Sequence, residues 1–167
     1  MTKRSVEAIV DALNAAGVRY LIAGGLAVVA HGYVRFTADV DLSLDLEPDN
    51  VTRAIHALEA IGYRPRVPVP FQAFADATTR AQWVRERNMT VFSLSSDAHA
   101  ATEIDLFVEP PLDFESAYQA AARLEVAPGV EAVFVGYRLL RLKEHAGRAT
   151  DIEDIRRLRV IHEDAGE

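Results

Sequence analysis

The run DVDLSLDL, residues 39 to 46, constrains the fold more than any other stretch of this chain. Val40, Leu42, Leu44 and Leu46 alternate with Asp39, Asp41, Ser43 and Asp45. This period of two marks a strand with one apolar face and one polar face. A helix would scatter the four apolar side chains around its axis. On the strand, Asp39 and Asp41 project the same way, about 7 Å apart at their backbones. Carboxylates held this close repel one another unless one is protonated or a cation lies between them. A ligand set of oxygen alone suits Mg²⁺ or Mn²⁺, which leave positions open for phosphate and water. Taken alone, a D-x-D pair is also what the solvent edge of an amphipathic strand looks like. The flanking segments decide what it means here.

Upstream, VRYLIAG (18 to 24) reads as a short buried strand that runs into Gly24 and Gly25. Residues without Cβ let a backbone approach phosphates closely, and the start of the following helix, Leu26 to His31, offers free N–H groups. Gly32 ends that helix. Arg35 and Thr37 then lead into the acidic strand. Downstream, MTVFSLSS and TEIDLFV are two strands separated by Ser95 to Ala101, a spacing suited to an antiparallel hairpin with a loop. In the second, Ile104, Leu106 and Val108 share one face, and Glu103, Asp105 and Phe107 share the other. Asp105 is therefore the candidate to complete a three-carboxylate cluster, which points to phosphoryl or nucleotidyl transfer.

The remaining elements describe an α/β (α+β) domain with a mixed sheet flanked by helices. Val6, Ile9, Val10 and Leu13 predict a helix over 5 to 16, with Ser5 as N-cap and Gly17 as stop. Pro48 and Asp49 open a second helix carrying Val51, Ile55, Leu58 and Ile61, which Gly62 ends. The proline-rich YRPRVPVPFQAF is a loop or an edge strand, since proline cannot serve a central one. Residues 112 to 122 are expected to be helical and VEAVFV to be the last strand. Two closing helices, YRLLRLKEHAGR and DIEDIRRLRVIHE, follow.

A length of 167 residues suits one domain. Its core is placed at about 18 to 110 and its helical end at about 137 to 163. There are no cysteines, which excludes disulfides and thiolate metal sites. His31, His56, His99, His145 and His162 show no metal-ligand spacing. His31 is expected to cap or pack the short helix. A net charge of −7 argues against coating nucleic acid by charge alone. Arginines do gather at 80 to 87 and 138 to 159, and Trp83 among them is read as packing. Arg35 has Asp39, Asp45 or a phosphate as candidate partners, while Arg148, Asp151 and Asp154 are read as ion-pair braces of the closing helices. With no membrane-spanning run and no signal-peptide pattern at MTKRSVEAIVDALNAAG, the cytoplasm is the expected compartment.

The order of strand, Gly-Gly, short helix, D-x-D strand and later single aspartate resembles the nucleotidyltransferase fold shared with DNA polymerase beta. GGLAVVAHGYVRFTADVDL looks like the version in AbiEii-type and related minimal nucleotidyltransferases, and LLRLKEHAGRATDIEDIRRL looks like their C-terminal helix pair. The resemblance implies an NTP donor, Mg²⁺ or Mn²⁺ held by Asp39, Asp41 and Asp105, and Asp105 as general base. It implies a triphosphate cradled by Gly24 and Gly25, contacts from Arg35 and Thr37, and charge neutralisation by the catalytic Lys143. It further implies a tRNA or protein acceptor, in a toxin-antitoxin or phage-defence setting with a cognate toxin or antitoxin partner. The same core motif occurs in small-molecule enzymes such as aminoglycoside or lincosamide adenylyltransferases. Antibiotic modification is thus one alternative, and a non-catalytic nucleotide- or partner-binding module is another.

Overall fold

The computed structural model describes residues 1–136 and 149–164. Seven strands form one mixed sheet: β1 (Tyr20–Ile22), β2 (Asp39–Leu44), β3 (Arg64–Pro65), β4 (Val91–Ser95), β5 (Glu103–Phe107), β6 (Ala122–Ala127) and β7 (Val130–Phe134). Their spatial order is β3-β4-β5-β2-β1-β7-β6. The strand carrying the D-x-D pair therefore lies mid-sheet, parallel to β5 and antiparallel to β1. The helices are α1 (Lys3–Ala15), α2 (Gly24–Ala30), α3 (Pro48–Ala60), α4 (Ala77–Arg87), α5 (Phe114–Gln119) and α6 (Ala149–Asp164).

The period of two survives folding. Val40, Leu42 and Leu44 are buried in one core with Ile9, Val10 and Leu13 of α1 and Ile55 and Leu58 of α3, whereas Asp39 and Asp41 stay half-buried on the opposite face. Hydrophobic burial thus fixes the register, because slipping β2 by one residue would bury the aspartates. Leu42→Ala should cost about 3 kcal/mol through lost burial and a residual cavity. The expected observation is a lower urea midpoint at an unchanged m-value.

Several local expectations are revised. Thr2, not Ser5, caps α1: its side chain accepts from the Ser5 amide at 3.2 Å, and the Ser5 hydroxyl lies inside the first turn, 2.8 Å from that of Thr2. An N-cap oxygen reaches the amide three residues on, and Thr2, immediately before the first helical residue Lys3, stands three residues before Ser5. The paired glycines open α2 rather than preceding it, with Ala23 as N-cap. The helix expected over 112 to 122 is confined to α5, and Ala122 instead starts β6, which pairs with β7 across a turn at Gly129. The proline-rich segment supplies β3, a two-residue edge strand.

The arginine cluster of α4 is not a uniformly solvated face. Arg80 is buried, donates from Nη1 to the Phe74 carbonyl at 2.6 Å and lies 5.6 Å from the centre of that ring. Trp83 is also buried, stacked on Phe92 at 5.2 Å between ring centres, in keeping with a packing role. The expected helix YRLLRLKEHAGR, with Lys143 and Arg148, lies outside the described residues. The final expected helix is α6.

Candidate active site

The parallel register of β2 and β5 sets Asp41 opposite Asp105 and Asp39 opposite Glu103. Side chains at matched positions of neighbouring strands share a face, so Asp39, Asp41 and Asp105 converge although 64 residues separate the last two in sequence. One carboxylate oxygen from each lies within 4.8 Å of the others. Among the described residues no other group of three histidine, aspartate or glutamate side chains gathers this way.

The electrostatics follow from that convergence. Burial pushes the Asp105 carboxyl up from its ordinary range, and the negative charges of Asp39 and Glu103 add to the effect. Ser93 opposes it by donating its hydroxyl to Asp105 Oδ1 at 2.5 Å. Arg66 opposes it more weakly from a distance and pairs with Glu103 at 2.7 Å. Three oxygens this close, with one carboxylate driven toward its neutral form, fit a divalent cation: the charge that would relieve their repulsion is the charge that they can ligate.

A stability test reads this burial and repulsion together. Because the folded Asp105 carboxyl binds its proton more tightly than the unfolded one, its contribution disfavours folding as pH rises through and above that window. Asp105→Asn should therefore raise the melting temperature of metal-free protein at pH 7 and lose that advantage at pH 3, where both states are protonated. Differential scanning calorimetry in chelator at the two pH values reads this directly.

The glycines have a reason inside the chain itself. Gly24 adopts φ +58°, and a Cβ there would fall 1.7 Å from Asp41 Oδ2. A Cβ on Gly25 would fall 2.6 Å from Arg35 Nη2 and 2.8 Å from Thr37 Oγ1. The first glycine thus makes room for a candidate metal ligand and the second for the side chains leading into it. Thr37 Oγ1 in turn donates to Asp39 Oδ1 at 3.1 Å.

Arg35 pairs with neither Asp39 nor Asp45. Its Nε stands 3.0 Å from Asp154 Oδ2 of α6, and Asp45 is instead held by Arg19 at 2.7 Å. Asp154 therefore braces the loop before β2. His31 ends α2 and donates its Nε2 proton to the Val135 carbonyl at 2.8 Å, tying that helix to the segment after β7. Lys143 lies outside the described residues. Ser93 and the Arg66–Glu103 pair were missed from sequence, although Ser93 sits on the polar face of the alternating β4 run, directly across from Asp105.

The architecture has a solved counterpart. The lincosamide antibiotic adenylyltransferase LnuA, crystallised with lincomycin bound, superposes with a TM-score of 0.61 over 95% of this chain and 97% of its own length, at 18% sequence identity. The chain has a nucleotidyltransferase-like fold. No protein-family model matches the sequence, and no curated protein matches it. Within this fold, the three aspartates stand on adjacent central strands, beside the helix that the paired glycines open. No helix among the described residues is long and apolar enough to cross a membrane.

Proposed function

We propose that the chain is a metal-dependent nucleotidyltransferase that moves a nucleoside monophosphate from an NTP to a hydroxyl of a small-molecule acceptor. The convergence of Asp39, Asp41 and Asp105 within 4.8 Å, on a fold of this class, carries the reading. The counterpart's acceptor is a lincosamide, and a net charge of −7 favours a small acceptor over a polyanion. Asp39, Asp41 and Asp105 would hold the divalent cation. When bound, it would supply Lewis-acid stabilisation of the charge that develops on the phosphoryl oxygens.

The chain's own residues perform the rest. Asp105, whose basicity burial raises, takes the proton of the acceptor hydroxyl. The acceptor oxygen bonds to the α-phosphorus as the bond to the bridging oxygen of the β-phosphate breaks, and pyrophosphate leaves. Ser93 holds the Asp105 carboxylate by its hydroxyl while the proton is taken. Gly24, Gly25, Arg35 and Thr37 form the nucleotide side of the site, and Lys143 is assigned to neutralise the triphosphate.

Acceptor choice is open to direct test. Purified protein with each NTP and Mn²⁺ is offered a panel of hydroxylated antibiotics, total tRNA and a protein extract, and products are read by mass. The expected product is a small molecule heavier by one nucleoside monophosphate. Modified tRNA or protein instead would reject the small-molecule acceptor and favour the toxin-antitoxin reading. Nucleotide binding with no product on any acceptor would favour the non-catalytic module.

A further inference from the structure

The ion pair between Arg35 and Asp154 is notable for what it joins. Asp154 belongs to α6 and is 5% exposed, and Arg35 belongs to the loop that delivers the chain into β2. A carboxylate is rarely buried this deeply without a partner, because desolvation costs it far more than a surface pair returns. The Arg35 Nε–H is not directed at the nearby oxygen, so the 3.0 Å contact is mainly one of charge. The other end of the guanidinium is fixed independently: Nη1 donates to the Phe36 carbonyl at 3.2 Å, and Nη2 occupies the space above Gly25 that a Cβ would fill. Thr37 Oγ1 shares that space and donates to Asp39. Asp154 thus touches Arg35, Arg35 Nη2 and Thr37 Oγ1 both border the bare Gly25 surface, and Thr37 reaches from there to the Asp39 carboxylate.

We infer that Asp154 is a positioning residue for the metal site: it anchors Arg35 against Gly25 and so sets the Thr37 and Asp39 geometry from α6. The inference rests on the reading of Asp39, Asp41 and Asp105 as metal ligands. It assigns α6 a part in cation affinity rather than in packing alone. Arg35 thereby holds the loop, and its Nη2 stands where a side chain at 25 would lie, which explains why glycine, and no larger residue, stands there. Exposed Val34 and Phe36 alternate with Arg35 and Thr37 along the same segment, so the polar side chains of the loop turn inward and the apolar ones outward.

The test uses the full-length protein and Mn²⁺ alone, with affinity measured by electron paramagnetic resonance at a temperature where circular dichroism shows every variant folded. Asp154→Asn should weaken Mn²⁺ binding about tenfold, the scale on which loss of a residue orienting a metal ligand acts. Thr37→Val should weaken it similarly, and the double variant should lose little more than either single one, because both act through Asp39. Asp154→Glu should recover part of the loss. A purely structural role would lower the melting temperature of Asp154→Asn and leave Mn²⁺ affinity unchanged, which would overturn the inference. Independent, additive losses in the double variant would overturn it as well. Failure of the underlying reading looks different: Mn²⁺ binding would then survive Asp41→Asn, whatever Asp154 does.

Discussion

Replacing Asp41 with asparagine is expected to abolish nucleotidyl transfer while leaving the metal-free protein folded. Asparagine keeps the shape of aspartate and removes its charge, so the space beside Gly24 remains filled and β2 keeps its register. What is lost is one of three carboxylates within 4.8 Å of one another. A loss of about a thousandfold in kcat corresponds to roughly 4 kcal/mol of transition-state stabilisation, the order expected for removing a principal electrostatic group. Stability should move the other way. With one negative charge fewer, repulsion among the carboxylates falls, and the variant should melt at or above the wild-type temperature in chelator. Kinetics and calorimetry on one preparation read both effects. Wild-type turnover in Asp41→Asn would reject the site assignment.

The second large effect is expected at Gly24. Alanine there meets two separate penalties. The backbone at φ +58° disfavours any residue with a Cβ by about 1–2 kcal/mol. That Cβ would also overlap the Asp41 carboxylate, at 1.7 Å from Oδ2. The side chain of Asp41 must then swing away, and a displacement of an ångström at a reacting centre can cost on the order of a hundredfold in rate. Gly17 provides the control. It has φ +62° with nothing within 4 Å of the added Cβ, so Gly17→Ala carries only the backbone cost. Both variants should lose stability by urea unfolding, and only Gly24→Ala should lose about a hundredfold or more in kcat/KM. Equal activities for the two would show that the Asp41 position is not critical.

The acidic centre was legible in the sequence because two simple periods coincide. Alternation in DVDLSL and EIDLF sorts apolar from acidic residues on each strand and so puts Asp105 on the face of Asp39 and Asp41 once the two strands pair, and the observed parallel register sets it opposite Asp41. The helices α1 and α3 were legible from their apolar spacing, and proline confined β3 to the edge. Other parts depend on contacts that no local pattern carries. The run from Tyr118 to Ala122 has good helix formers, yet the chain leaves the helix at Ala120 because the following residues gain strand partners in β7. Arg35 has acidic residues close by in sequence and pairs instead with Asp154, brought to it by the final helix. The glycines were read as open toward phosphate. Their visible neighbours are side chains of the same chain, a relation that appears only once β2 lies beside α2. Ser93 shows no motif of its own, and its role follows from standing across the ladder from Asp105.

The most direct test of the central claim is a crystal of the protein grown with Mn²⁺ and an NTP analogue that cannot be cleaved at the α-phosphate, with diffraction recorded at the manganese edge. Asp39, Asp41 and Asp105 as ligands require an anomalous peak within coordination distance of all three carboxylates, with the α-phosphate of the analogue beside it. Bound nucleotide with no peak there, or a manganese ion held by other residues, would contradict the metal site and the chemistry argued from it.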